Sequence, residues 1–268
     1  MFLAVNRRVI NNTPQKKLPR MTFILGSVCS DGVVLIADKK ITYENRHPEY
    51  REKLSMQYYP IVFGSSGSVD LYERFLYEAL SKAQRSHKIT QNVQYATSGG
   101  ITEHDTTNPD VAISLQPYLQ DLEKSVKELN NNYSTYYGSG FDILLAVWTK
   151  DKGSVLYYIP PKGIGTKIFE YMVIGTGERL AEMVLGPLWR KEMTMEQVAK
   201  IGYFIIKYIE QYDLDYKVGV GSLYPQIYFV ANSGEVSRAE ADKLESYEKE
   251  TNTRLEQIKN GIIDLSKI

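Results

Sequence analysis

The sequence predicts an α/β fold: two β-sheets packed face to face between two helical layers. Two observations carry this. The strand candidates are apolar on both faces, as Val33-Val34-Leu35-Ile36-Ala37 shows, and such strands are usually covered on both sides. The elements also run strands, two helices, strands, two helices, strand, so each sheet has helices to cover it. At 268 residues with 43% hydrophobic content, the chain suits one large domain.

Phe23 to Cys29 and Val33 to Asp38 are β-rich runs joined by Ser30-Asp31-Gly32, a hairpin signal. A short strand, Pro60 to Gly64, leads into a helix from Ser68 to Arg85, where Leu71, Phe75, Leu76, Ala79, Leu80 and Ala83 form a stripe at helical spacing. Ser86 to Asn108 is polar and reads as a long loop or insertion. A second helix is expected over Pro109 to Leu129, although Pro117 interrupts it. Strands follow at Phe141 to Thr149, Val155 to Ile159 and Lys167 to Ile174. Helices are expected at Glu178 to Leu188 and Thr194 to Tyr212, the latter opened by the capping box Thr194-Met195-Glu196-Gln197. After a Gly-rich bend, Gln226 to Ala231 is the last strand and Val236 to Lys259 a charged helix.

Composition narrows the function. Lys+Arg 32 balances Asp+Glu 32, so no overall field draws the chain to nucleic acid or an anionic membrane. No apolar run approaches the ~18 residues of a membrane span. The single cysteine forms no internal disulfide and fits a reducing compartment; the expected location is cytoplasmic. Three scattered histidines, His47, His87 and His104, leave little for a zinc site, and neither metal nor cofactor is expected. Gly64-Ser65-Ser66-Gly67-Ser68 lacks the second glycine of a nucleophile elbow, and Gly175-Thr176-Gly177 has Leu180 where a dinucleotide fingerprint needs glycine. Glu103-His104-Asp105 reads as solvated loop and Cys29 as a core residue.

One constellation remains. Met1 to Arg20 is basic, holds Pro14 and Pro19, and lacks a secretory apolar core. It reads either as a mobile extension or as a segment absent from the mature chain, with Met21 as a possible start and Thr22 exposed after Met removal. Counting back from the hairpin turn sets Thr22 opposite Lys39, beside Asp38, within the ~5–8 Å of cross-strand neighbours. A chain beginning at Thr22 would join a hydroxyl, a carboxylate and an α-amine of unperturbed pKa ~7.7–8.0, suited to a general base. The alternative is an ordinary strand threonine and a surface aspartate.

The run from Thr22 through Gly26, Asp31 and Asp38 to Thr42 resembles the start of a mature proteasome β subunit, a threonine-type N-terminal nucleophile hydrolase. Lys53-Leu54 is similar to that family's lysine segment and Val62 to Ser68 to its glycine loop. Ile174 to Gly177 and Met193 to Glu196 match later landmarks. The resemblance spans about Thr22 to Gly234 and implies the four-layer αββα sandwich of that hydrolase class.

It further implies Thr22 as nucleophile with its own amine as base, Lys53 lowering the hydroxyl's proton affinity, and Asp38 orienting Lys53. Gly64 N–H would serve the oxyanion and Thr176 would stand in for a supporting serine. Val62 resembles the floor of a specificity pocket for apolar side chains, with Ile41 and Ser66 as further substrate-binding positions. The implied activity is a threonine endopeptidase acting on peptide or protein, a zymogen-like member of an oligomeric ring. A non-catalytic ring or scaffold subunit, or a transpeptidase or amidase outside a barrel, are the alternatives. The expected organisation is a 1–21 extension or propeptide, a 22–235 domain and a 236–268 helical extension, whose deletion is expected to loosen assembly but spare Thr22. Two departures stand out: Met21 precedes the threonine where the family has glycine, and Gln226 aligns with a family aspartate.

Overall fold

A computed structural model describes residues 23–42, 47–58, 60–79, 115–135, 140–212, 214 and 217–260. Thr22 and the Ser86 to Asn108 stretch lie outside the described residues. The expected αββα architecture is present. One sheet has the order β10-β1-β2-β11-β12, formed by Tyr171–Gly175, Phe23–Cys29, Gly32–Ala37, Gln226–Ala231 and Val236–Arg238. The other has the order β5-β6-β7-β8-β9, formed by Leu54–Tyr58, Ile61–Gly67, Phe141–Thr149, Gly153–Ile159 and Thr166–Ile168. A small pair, β3 (Lys40–Ile41) and β4 (Glu49–Tyr50), stands apart.

Strand alternation divides the core into three apolar layers. Phe23, Leu25, Val34 and Ile36 face a helical layer made of α3 (Glu178–Leu188), α4 (Met195–Gln211) and α5 (Ala241–Lys259). Phe63, Ile143 and Leu145 face α1 (Val69–Arg74) and α2 (Leu115–Tyr133). Ile24, Leu35, Val62, Leu144 and Leu156 interdigitate between the sheets. Gly26 lets the sheets close, because a Cβ there would lie 2.7 Å from Leu144 and 2.9 Å from Leu156.

In the first helix, α1 widens after Arg74 into a π-turn over Phe75–Ala79, and residues 80–85 of the expected span lie outside the described residues. The second is described over Leu115–Tyr133 and includes Pro117, while residues 109–114 of its expected span lie outside the described residues. The run Lys167 to Ile174 divides at Phe169 and Glu170, because the chain crosses there from β9 in one sheet to β10 in the other. The expected helix from Val236 is also corrected. Val236 packs between the sheets, and Val236–Arg238 pairs with Tyr228 to Val230 before α5 begins at Ala241. Leu54–Tyr58, with no clear alternation in Leu-Ser-Met-Gln-Tyr, is a strand that tertiary pairing with β6 imposes.

Candidate active site

The hairpin register fixes the first part of the site. Ile24 pairs with Ala37 and Cys29 with Gly32, which brings Phe23 alongside Asp38. Phe23 N donates to Asp38 Oδ1 at 2.9 Å, and Asp38 N donates back to Phe23 O at 3.1 Å. The residue following Thr22 is therefore anchored to a carboxylate that is fully buried.

Asp38 collects three further interactions. Lys53 Nζ lies 2.5 Å from its Oδ1, while Oδ2 accepts from Lys40 N and Gly219 N, each at 3.2 Å. Lys53 Nζ also donates to Lys40 O at 2.6 Å. Burial pushes the Lys53 ammonium below its ordinary lysine value, with the Asp38 charge pulling it back. Burial likewise pushes the Asp38 carboxyl up, against Lys53 and the Phe23 and Gly219 amides. A lysine held this way is a positive centre with a weakened grip on its proton.

The other candidates sit around this pair. Lys53 leads directly into β5, whose Leu54 pairs with Gly64 of β6. Gly64 faces the inter-sheet layer, where a Cβ would lie 2.8 Å from Leu54 Cδ2 and 3.0 Å from Ile24 Cδ1. Val62 shares that face and is fully buried. Ser66 lies further along β6, buried, with a hydroxyl that has no hydrogen-bond partner among the described residues. Ile41 is buried in β3, next to the Lys40 carbonyl that Lys53 contacts. Thr176 follows Gly175, which pairs with Phe23, and its enclosed Oγ1 has no hydrogen-bond partner among the described residues. The starts of β1 and β5, the ends of β2 and β10, and mid-β6 thus converge.

Two contributors were not legible beforehand. Gly219 binds Asp38 through its N–H and accepts from Lys39 N and Lys40 N through its carbonyl. Glu210 Oε1 in turn accepts from Val220 N and Gly221 N at 2.9 and 2.8 Å. The only advance signal was the glycine spacing of Val218-Gly219-Val220-Gly221, read as a bend. Gln226 does not reach toward the β1 start as a substitute carboxylate. Its side chain instead binds the backbone of Lys53 and Leu54.

Cys29 is buried, with its thiol pushed up to about 12 by burial, so it is not a thiolate nucleophile near neutral pH. Among the described residues no group of three or more His, Cys, Asp or Glu is placed to hold a metal ion. No helix among them is long and apolar enough to cross a membrane.

Two antiparallel sheets enclosed by helices, with a buried lysine–aspartate pair at the mouth of the first strand, define the sandwich of the N-terminal nucleophile hydrolases. The family model "Proteasome subunit" matches residues 76–220, and the chain belongs to the proteasome subunit family. Among solved structures, it is similar to Anbu (ancestral beta-subunit) from Yersinia bercovieri. The TM-score is 0.68 at 15% identity, covering 89% of this chain and 96% of that one. It is also similar to Anbu from Hyphomicrobium sp. strain MC1, with TM-score 0.65 and 16% identity over 92% and 98% of the two chains. At these identities the likeness establishes the fold. No curated protein matches the sequence.

Proposed function

We propose that the protein is a threonine peptidase of the proteasome β type, with Thr22 as its N-terminal nucleophile. The observation that carries this reading is the buried Lys53–Asp38 pair tied to Phe23 N, one residue beyond Thr22. A charged pair is costly to bury, and here it adjoins the one place where a free threonine amine and hydroxyl would coincide.

In the proposed reaction, Thr22 Oγ attacks a peptide carbonyl carbon and its proton passes to the Thr22 α-amine through a water. The Lys53 charge lowers the proton affinity of the hydroxyl, and Asp38 keeps Lys53 in place. The tetrahedral oxyanion accepts from Gly64 N–H. The intermediate collapses to an ester as the C–N bond breaks, and the leaving amine takes the proton held by the α-amine. Water then cleaves the ester. The enclosed Thr176 hydroxyl is available to the amine or its water. Val62, Ile41 and Ser66 would border the substrate, and the apolar character of Val62 favours apolar side chains. Removal of residues 1–21 creates the active form, and related subunits assemble with it as a ring in the cytoplasm.

Intact mass of the native protein, with and without an electrophile that captures amino-terminal threonine, tests this. The expected result is a chain starting at Thr22 that gains one adduct, lost in Thr22→Ala. A mature chain retaining Met21 would overturn it. Met21 where the family has glycine favours a second reading, a non-catalytic ring subunit, which the retained residue would support. Capture by a monomer would favour a transpeptidase or amidase outside a ring.

A further inference from the structure

Gln226 is 1% exposed and begins β11. Its backbone pairs with Ala37, the residue before Asp38. Its side chain crosses to the opposite sheet, where Oε1 accepts from Lys53 N at 2.5 Å and Leu54 N at 2.9 Å. Nε2 donates to Leu54 O at 3.2 Å. One residue therefore touches both strands that carry the ion pair, through its main chain on one side and its carboxamide on the other.

Among the described residues, strand β5 lies at the edge of its sheet and pairs only with β6. The free edge of such a strand needs partners for its amides once buried. A carboxamide supplies what Lys53 and Leu54 require, an oxygen for two donors and an N–H for one carbonyl. A flipped amide would set N–H against N–H, so the network fixes its orientation. A glutamate would lack the donor when ionised, and would bring a second carboxylate into the buried region of Asp38.

We propose that Gln226 is a positioning residue that locks the start of β5 and thereby holds the Lys53 side chain against Asp38. The mechanistic consequence rests on the peptidase reading above; the structural lock does not. Lys53 has a long, flexible stem, so its ammonium is directed at Asp38 only while its main chain is fixed. Misplacement of such a group by about 1 Å can slow catalysis by about 100-fold.

The test uses the mature protein as it is isolated from its native cell, and two variants of it. The NMR resonance of the Lys53 ε-carbon, followed against pH, reads the Lys53–Asp38 pair without any turnover. Gln226→Met keeps similar length but cannot hydrogen-bond. It is expected to move the Lys53 titration midpoint and to slow electrophile capture at Thr22 by about 10- to 100-fold. In Gln226→Glu, a protonated carboxyl offers both acceptor and donor, so a wild-type-like Lys53 resonance is expected to return at mildly acidic pH, while Gln226→Met shows no such recovery. A folded Gln226→Met with an unmoved Lys53 titration would overturn the proposal. If that variant fails to fold, hydrogen exchange in the unmutated protein decides: slow exchange of the Lys53 and Leu54 amides supports the lock, and exchange as fast as in exposed loops overturns it. Unmutated protein that captures no electrophile would sink the peptidase reading alone, leaving the Lys53 titration to decide the role of Gln226.

Discussion

Lys53 Nζ and Asp38 Oδ1 lie 2.5 Å apart, with side chains 5% and 0% exposed. Fifteen positions separate them in sequence, and the approach is made by the end of β2 and the entry to β5. Burial works against both charges, and each partner is the main reason the other can stay ionised. Removing either one should therefore have a large effect, with opposite dependence on pH.

Lys53→Ala is expected to destabilise the fold by about 3–5 kcal/mol at neutral pH, because it strands a buried carboxylate. Burial already raises the Asp38 carboxyl, and loss of Lys53 removes the charge that opposed the rise. A raised carboxyl binds its proton more readily in the folded state than in the unfolded one. The deficit should then shrink as pH falls from neutral toward the ordinary aspartate range. Urea unfolding at several pH values measures this.

Asp38→Asn should show the reverse slope. Lys53, already pushed down by burial, loses its opposing charge and falls further. Between that lowered value and the ordinary lysine value the unfolded chain binds more protons, so stability rises with pH. Thermal melts from neutral to alkaline pH should climb relative to unmutated protein, and capture at Thr22 should be slowed in the same variant.

Gly64→Ala places a methyl 2.8 Å from Leu54 and 3.0 Å from Ile24. Both neighbours are side-chain ends that can shift, so the expected cost is about 1–3 kcal/mol with the fold retained. Because Leu54 adjoins Lys53, capture at Thr22 should fall by more than the stability loss alone predicts. Equal losses would mark the change as packing only.

Glu210 anchors the loop that supplies Gly219 to Asp38, and its other oxygen meets Lys207 Nζ at 3.2 Å. Glu210→Gln keeps an acceptor for the Val220 and Gly221 amides, whereas Glu210→Ala leaves both open. The alanine variant is expected to lose about 2 kcal/mol more than the glutamine variant. Comparing their unfolding midpoints tests this.

The C-terminal helix belongs to the packed fold. Leu244, Tyr247 and Leu255 are buried against α4, and the Tyr247 ring meets Tyr203 edge-on at 6.0 Å. Tyr247→Ala should cost about 3–5 kcal/mol. Deleting residues 236–268 also removes β12 from β11. Loss of the whole fold is therefore expected, in place of loosened assembly with Thr22 reactivity spared; circular dichroism of the truncated chain tells these apart.

Much of this architecture was legible because local pattern and tertiary role agree. The hairpin spacing set Phe23 beside Asp38, and the helices over Glu178–Leu188 and Met195–Gln211 carry their own caps or stripes. Legibility failed where a segment answers to a distant partner. Val236–Arg238 reads as the start of a charged helix until β11 lies next to it. Gln226 reads as a missing carboxylate until its side chain is seen to serve another strand.

The sequence alone determined the two-faced strands, their order, and the carboxylate opposite the start of the first, since hydrophobic alternation and turn chemistry act over a few residues. Only the tertiary structure decided how Lys53 comes to meet Asp38, what secures its backbone, and which loop amides complete the carboxylate's shell. Those contacts join residues up to 181 positions apart. Their partners are chosen by sheet packing and by the need to satisfy buried polar groups, which local sequence does not encode.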